Sequence, residues 1–186
     1  MLASADIIRC VVDAVAHRNL PLVVDPVMYF IPFRHRLLQS EAHRSLVTDL
    51  FPIALLITPN LPEASVLLDG RVIASVADMQ QAAVDLMALG RSKFVLVKGG
   101  HLESDTVVDV LYDGESFDLF SSPRVHTTNT HGTGCTLAAA IAANYAKVAD
   151  LKLAVRLAIR YVQSILHGSR DIKIGHGDNG PMLHWL

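Results

Sequence analysis

The chain has 186 residues, of which 51% are hydrophobic, and its 16 basic and 18 acidic side chains give a formal net charge of −2. This length suits one compact domain, and the balanced charge argues against a nucleic-acid-binding surface. No apolar run approaches the roughly 20 residues that a membrane-spanning helix needs, and the two cysteines lie in no metal-binding or redox motif. We therefore expect a cytoplasmic protein with no membrane partner, or a plastid protein if a transit peptide is missing from this chain.

The first third of the chain alternates helical patterns with short apolar runs. Apolar residues recur at helical spacing from Ala5 to Arg18, and Ser4 is a suitable N-cap. The run from Leu20 to Asp25 predicts a buried parallel strand. The residues from Ser40 to Asp49 predict a helix, and those from Ala54 to Thr58 predict a second buried strand.

The middle of the chain repeats this alternation. A helix is expected through Leu68 with Pro62 in its first turn and Asn60 or Leu61 near its cap. Ser75, three residues before an aspartate, resembles a capping box for a helix that Gly90 closes. The run from Phe94 to Lys98 predicts a third buried strand, which two glycines end.

The last part of the chain departs from the alternation. The residues from Val107 to Phe120 contain a central Asp-Gly pair and predict an antiparallel hairpin at a sheet edge. Helices are expected from Gly134 to Lys147 and from Leu151 to His167. Together the elements predict an α/β domain with a mostly parallel sheet, helices on both of its faces and an edge hairpin.

A glycine-rich turn, Asn129 to Thr136, runs directly into the alanine-rich helix. Glycines let the backbone approach a ligand, and the start of a helix offers unpaired N–H groups and a positive dipole end. The segment therefore predicts an anion hole, although plain turn chemistry would give the same pattern. Because that dipole favours a thiolate, Cys135 is a candidate base for a hydroxyl, the alternative being a small buried residue. Cys10 lies in an apolar helix and is assigned to packing.

Polar side chains follow each of the three predicted strands. Asp25 ends the first strand, Asn60 and Glu63 follow the second, and Lys98 ends the third. Open α/β sheets bind ligands at the carboxyl ends of their strands. Taken singly, Asp25 and Asn60 could be helix caps, Glu63 a first-turn acid and Lys98 a solvated strand end. Together they supply an acid pair for Mg²⁺ and a cation for phosphate, as phosphoryl transfer requires.

Four blocks, in this order and at these intervals, resemble the hydroxymethylpyrimidine (phosphomethylpyrimidine) kinases. They are Asp25 to Met28, Thr58 to Ala64, Val95 to His101 and Asn129 to Thr136, and the tail from Ile174 to Gly177 is also similar. The resemblance covers nearly the whole chain. It implies a ribokinase-like, three-layer fold over residues 1–186, and a kinase of thiamine biosynthesis.

The implied reaction transfers the γ-phosphoryl group of ATP to the hydroxymethyl group of a small aminopyrimidine, and then to the resulting monophosphate. The resemblance implies Cys135 at the position of the catalytic base, with ATP and Mg²⁺ as cofactors. Its assignments are catalytic Gly132, Thr133 and Gly134 in the anion hole; Lys98, Asn60, Thr130, Gly132 and Gly134 as nucleotide contacts; and Asp25 and Glu63 as Mg²⁺ ligands.

Two departures from the family pattern give further expectations. The chain starts at a segment that matches an internal part of the family, so we expect the N-terminal part of the domain to be missing. Tyr29 to His35 replaces a Ser-Gly-Asp loop. A pyridoxal-type kinase and a non-catalytic nucleotide-binding fragment remain as alternatives, and a homodimer is a further expectation.

Overall fold

The computed structural model describes residues 2–18, 20–30, 35–36, 40–173 and 179–185. The family-like tail block from Ile174 to Gly177 and the centre of the Tyr29 to His35 departure lie outside the described residues. The chain divides into two compact units. The first comprises Met1–Leu102 with Val108–Phe120, and the second comprises Glu103–Val107 with Ser121–Leu186.

Helices and short strands alternate through the first unit, and two long helices form most of the second. The helices are α1 Ala5–Ala16, α2 Ser40–Ser45, α3 Leu61–Leu67, α4 Val76–Gly90, α5 Thr133–Val148 and α6 Leu151–Ser169. A π-helical turn, Leu46–Leu50, and a 3₁₀ turn, Phe51–Ile53, follow α2. The strands are β1 Val23–Val24, β2 Tyr29–Phe30, β3 His35–Arg36, β4 Leu56–Ile57, β5 Phe94–Val97, β6 Thr106–Tyr112 and β7 Phe117–Pro123.

Five strands form one sheet in the order β1-β4-β5-β6-β7. Strand β4 pairs in parallel with β1 and with β5, so that Ile57 lies between Val24 and Val95. Strand β6 is antiparallel to β5 and continues into β7 through a tight turn. The predicted parallel strands and edge hairpin are confirmed. Strands β2 and β3 form a separate antiparallel pair, and they contain the first two residues and the last residue of the departure from the family pattern.

The core of the first unit lies between the parallel strands and the helices that connect them. It explains the apolar runs of the sequence, because a parallel strand that is covered by helices is apolar throughout. Ile8 of α1 is fully buried, and Ser4 caps this helix as predicted, its hydroxyl accepting a hydrogen bond from the amide of Ile7. The other large, fully buried side chains of this core are Met28, Leu46, Leu50, Phe51, Ile57, Met79 and Leu86.

The end of α4 differs from the prediction that Gly90 closes it. Gly90 is the last helical residue, and Arg91 takes the left-handed conformation with φ of 55°. A Cβ at Gly90 would lie 2.6 Å from Cδ2 of Phe51. Glycine is therefore present at this position because the phenyl ring packs against the helix backbone, and not because the helix needs a left-handed cap there.

Helices α5 and α6 pack against each other in the second unit. The buried stripe of α6, which includes Ala154, Ala158 and Val162, follows the predicted helical spacing. Asp150 caps α6, its carboxylate accepting a hydrogen bond from the amide of Leu153. Within the described residues, no helix is both long and apolar enough to cross a bilayer.

Candidate active site

Three polar side chains meet where the parallel strands of the first unit end. Asp25 follows β1, Thr58 follows β4 and Lys98 follows β5. The Lys98 ammonium donates to Oδ1 of Asp25 at 2.7 Å, and the Thr58 hydroxyl donates to the same oxygen at 2.9 Å. The side chains of Asp25 and Lys98 are each only 12% exposed. The predicted acid and cation are thus held together as a nearly buried ion pair.

Glu63 lies beside this ion pair in the first turn of α3. Its carboxylate accepts a hydrogen bond from the amide of Asn60 at 2.8 Å, while the Asn60 side chain accepts one from the amide of Glu63 at 2.9 Å. Burial raises the pKa of Glu63 to about 7, an effect that the charge of Lys98 opposes and that of Asp25 reinforces. A carboxyl group with this pKa exchanges its proton near neutral pH, and a bound cation would keep it ionised.

Asp109 of β6 belongs to the same region and was missed by the sequence reasoning. Its buried carboxylate accepts a hydrogen bond from the amide of Gly99, which follows Lys98, at 2.9 Å. Burial raises the pKa of Asp109 to about 6, against the influence of that hydrogen bond and of Lys98. A Cβ at Gly99 would lie only 1.9 Å from the carbonyl oxygen of Val108, so this loop and β6 are in direct backbone contact.

The oxygens of the Asp25 and Glu63 carboxylates suit Mg²⁺, a hard cation that proteins bind through one or two carboxylates plus substrate phosphates and water. The hydrogen bonds from Thr58 and Lys98 to the Asp25 carboxylate both fall on Oδ1, so Oδ2 is the oxygen through which Asp25 could bind a cation. In the part of the chain that the structure describes, no group of three His, Cys, Asp or Glu residues could hold a metal by itself. A Mg²⁺ ion here would therefore depend on the nucleotide for the rest of its ligands.

The glycine-rich turn of the second unit leads into α5, which begins at Thr133, one residue before the predicted start. Gly132 is the N-cap, with φ of 85°. Because glycine has no side chain, the helix start has no side-chain cap. The Thr133 hydroxyl donates to the carbonyl of Thr130 at 2.6 Å, and that of Thr136 donates to the carbonyl of Gly132 at 2.8 Å. These two hydroxyls thus stabilise the turn by donating to its carbonyls. The first amides of α5 have no partner within the helix and are directed along its axis, as an anion hole requires.

Both cysteines are exposed. For Cys135 this contradicts the alternative of a small buried residue and suits a group that meets a substrate. For Cys10 the predicted packing role is wrong. Cys10 follows the fully buried Ile8 by two residues, about 200° around the helix, and therefore lies on the opposite face of α1.

The predicted site residues therefore form one group in each compact unit. The first group is Asp25, Asn60, Glu63 and Lys98, and the second is Thr130, Gly132, Thr133, Gly134 and Cys135. Hydrogen bonds or the continuity of one short element connect the members within each group. The geometry supplies carboxylates and an ammonium in the first unit, and helix amides with a thiol in the second.

The model of the family described as phosphomethylpyrimidine kinase matches residues 1–182 of the chain. The chain belongs to the phosphomethylpyrimidine kinase family. It is 45% identical, over its whole length, to the chloroplastic thiamine biosynthetic bifunctional enzyme TH1 of Arabidopsis thaliana, of which the match covers 36%. It is 39% identical, again over its whole length, to the hydroxymethylpyrimidine/phosphomethylpyrimidine kinase of Rhizobium meliloti, of which it covers 68%.

Solved structures of kinases share the fold. A Bacillus subtilis pyridoxal kinase in complex with ADP aligns over 99% of this chain and 67% of its own, with a TM-score of 0.85 and 35% identity. A phosphomethylpyrimidine kinase from Clostridium difficile aligns over 88% and 65%, with a TM-score of 0.73 and 36% identity. The ribokinase-like α/β fold is thereby confirmed. This family member spans about a third of its plant relatives and about two thirds of the Rhizobium meliloti kinase.

Proposed function

We propose that the protein containing this chain transfers the γ-phosphoryl group of ATP to hydroxymethylpyrimidine and then to hydroxymethylpyrimidine phosphate. The observation that carries the proposal is the nearly buried Lys98–Asp25 ion pair beside Glu63, at the carboxyl ends of parallel strands. Ligands of α/β sheets bind at such strand ends, and phosphoryl transfer depends mainly on positioned charges. Membership of the phosphomethylpyrimidine kinase family supports the choice of substrate.

Each group of residues has a part in the proposed mechanism. The Cys135 thiolate accepts the proton of the substrate hydroxyl as that oxygen forms its bond to the γ-phosphorus and the bond from phosphorus to ADP breaks. The amides of Gly132, Thr133 and Gly134 stabilise the charge on the transferred group, with Thr130 as a further nucleotide contact. Lys98 and Asn60, which belong to the first unit, are the proposed nucleotide contacts there. Mg²⁺, held by Asp25 and Glu63, would neutralise charge on the ATP phosphates.

A pyridoxal-type kinase is the second candidate, and a specific observation favours it. The chain is 38% identical over 170 residues to the pyridoxine kinase of Bacillus subtilis. Several pyridoxal kinase structures from Staphylococcus aureus, two of them in complex with pyridoxal, align with TM-scores of 0.82 to 0.86. Pyridoxal also carries a hydroxymethyl group on a six-membered ring, so the same phosphoryl chemistry would serve both substrates.

A coupled ADP-release assay tests the proposal. The purified protein is supplied with ATP, Mg²⁺ and either hydroxymethylpyrimidine or pyridoxal, beside the variants Cys135→Ala and Cys10→Ala. Both cysteines are exposed, and Cys10 lies in the other unit, so its variant controls for loss of a surface thiol. We expect turnover with the pyrimidine that Cys135→Ala abolishes and Cys10→Ala retains.

Other outcomes of this assay are also informative. Faster turnover with pyridoxal would favour the second candidate. A folded protein that binds ATP but turns over neither substrate would be a non-catalytic nucleotide-binding fragment. Turnover that survives in Cys135→Ala would contradict the assignment of the base.

We further propose a cytoplasmic or plastid location and a homodimer as the assembly. The location is supported by the plant relatives, whose names describe them as chloroplastic. Fluorescence microscopy of the tagged full-length protein tests the compartment, and size-exclusion chromatography with light scattering tests the assembly.

A further inference from the structure

Asn129, the first residue of the glycine-rich turn, is buried, with 4% of its surface exposed. Its side-chain Nδ2 donates to the carbonyl of Ser169 at 2.5 Å and to that of Ile172 at 2.6 Å. Both acceptors are carbonyl oxygens, so the amide nitrogen must face them and the orientation of the side chain is fixed. Each of the two N–H groups of this amide thus has its own acceptor.

The Ser169 carbonyl belongs to the last residue of α6, where a helix has acceptors that no residue of the helix can satisfy, and Ile172 follows that residue by three positions. Asn129 supplies donors to this helix end from forty residues earlier in the chain. Ser169 extends the connection, because its hydroxyl accepts a hydrogen bond from the amide of Leu183 at 2.8 Å. The turn before α5, the end of α6 and the C-terminal segment therefore meet around Asn129.

Gly180 closes the other side of the Asn129 side chain. A Cβ at Gly180 would lie 1.9 Å from Oδ1 of Asn129. The amide of Gly180 donates to the carbonyl of Thr128, and its carbonyl accepts from the amide of His131, both at 3.1 Å. The backbone on both sides of Asn129 is thus hydrogen-bonded to Gly180, and the close contact with Gly180 restricts the conformation of the Asn129 side chain.

From these contacts we infer that Asn129 is a positioning residue for the anion hole, which fixes the direction of the first amides of α5 by tying the turn to the end of α6. The inference rests on the proposed function, since the hole is useful only if the turn binds a phosphate group. The side chain of Asn129 points toward carbonyls at and just after the end of α6, so it acts through the backbone of Gly132 to Gly134. A small displacement of these backbone amides would lower the rate of phosphoryl transfer, because this reaction is catalysed mainly by correctly positioned groups.

The substitution Asn129→Asp tests the role with almost no change of shape. A carboxylate has no N–H group and would face two carbonyl oxygens, whereas a protonated carboxyl can donate one hydrogen bond. We expect the variant to bind the non-hydrolysable analogue AMP-PCP about tenfold more weakly than wild type near pH 8, with the deficit shrinking as the pH falls toward 5.5. The ionisable side chains nearest in the sequence to Asn129 and its acceptors are His131, Arg170 and Asp171. The wild-type profile over the same pH range is the control for any pH dependence that does not arise at residue 129.

Asn144→Asp is the matched control. Asn144 also donates through Nδ2 to a backbone carbonyl, that of Ala140 at 2.8 Å, but it lies in the later part of α5, away from the turn. Binding of AMP-PCP is followed by the amide chemical shifts of Gly132 to Thr136 in nuclear magnetic resonance spectra of the ¹⁵N-labelled protein. The control is expected to leave both the affinity and the shifts of these amides at their wild-type values.

Gly180→Ala gives an independent test if Asn129→Asp folds poorly. Its methyl group would displace the Asn129 side chain without removing the amide donors. We expect it to weaken AMP-PCP binding at every pH, with no recovery in acid, since it introduces no ionisable group. The dispersion of amide resonances from both units reports whether either variant is folded.

The outcomes separate the inference from the proposed function. Wild-type affinity and wild-type amide shifts in folded Asn129→Asp and Gly180→Ala would overturn the positioning role, even in an active kinase. Wild-type protein that binds AMP-PCP through these amides yet transfers no phosphoryl group would overturn the proposed function alone. Wild-type protein whose turn amides do not respond to AMP-PCP would overturn both.

Discussion

Lys98 reaches across β4 to Asp25, so that one hydrogen bond of 2.7 Å joins the ends of two strands that are not neighbours in the sheet. Thr58, at the end of the strand between them, donates to the same Asp25 oxygen. The ends of all three parallel strands are therefore fixed by side chains as well as by the backbone. The arrangement keeps an ammonium and a carboxylate in place before any ligand binds.

The substitution Lys98→Met is expected to destabilise the protein by about 3 kcal/mol, because it leaves a nearly buried carboxylate without its cation. Urea denaturation measures this loss as a change in the free energy of unfolding. The double variant Lys98→Met with Asp25→Asn should recover part of it, since a neutral amide replaces the unpaired charge. Losses that simply add in the double variant would show that the two side chains are not coupled.

If Glu63 binds Mg²⁺ as proposed, the affinity for the cation should depend on pH. Because the pKa of Glu63 is about 7, protons compete with the cation below neutral pH. The apparent affinity for Mg²⁺, measured by calorimetry in the presence of AMP-PCP, is expected to rise with pH up to about 7 and then to level off. Glu63→Gln should bind Mg²⁺ more weakly and lose most of this rise. An unchanged pH profile in the variant would exclude Glu63 as the titrating group.

Asp109 should make the folded state less stable as the pH rises from about 4 to about 6. Its pKa is about 6 in the folded protein, against an ordinary value of 3.8 for an aspartate in the unfolded chain, so over this interval the folded state binds more protons than the unfolded state. The free energy of unfolding therefore falls with increasing pH. Thermal unfolding at several pH values should show a smaller fall in Asp109→Asn, in which the similar contribution of Glu63 remains. A fall as large as in wild type would contradict the raised pKa of Asp109.

Two adjacent glycines are expected to respond differently to alanine. Gly99→Ala would place a methyl group against the carbonyl of Val108, and we expect a loss of at least about 2 kcal/mol in the free energy of unfolding. Gly100→Ala is the control, because a Cβ there would meet no atom within 4 Å. Chemical denaturation of both variants makes the comparison. Equal effects would show that the backbone contact with β6 is not what requires Gly99.

The sequence predicted the side chains whose position follows from a single element. Asp25 and Lys98 end apolar runs, and Asn60 precedes a helical pattern with Glu63 in its first turn, so local rules place each of them. Asp109 was missed because its partner, the amide of Gly99, lies on another strand, and no local pattern reveals such a pairing. The buried contacts of Asn129 with the end of α6 were missed for the same reason.

Two local rules failed where packing overrode them. Gly90 follows a helical pattern as a terminating glycine does, yet it is needed for the ring of Phe51, and Arg91 accepts the left-handed conformation instead. Cys10 lies in an amphipathic helix but on its exposed face. The burial of a helix residue depends on which of its faces meets a neighbour, and this is decided by the tertiary structure.

The spacing of the elements along the chain also bears on the order in which they form. The parallel pairs join Val23 to Leu56 and Leu56 to Phe94, so long loops must close before the sheet gains its contacts. Helices α5 and α6 are separated by only two residues and meet through local contacts. We therefore expect the helical pair to become protected early in refolding and the strand ends that carry Asp25, Thr58 and Lys98 to assemble late, an order that pulsed hydrogen exchange can resolve.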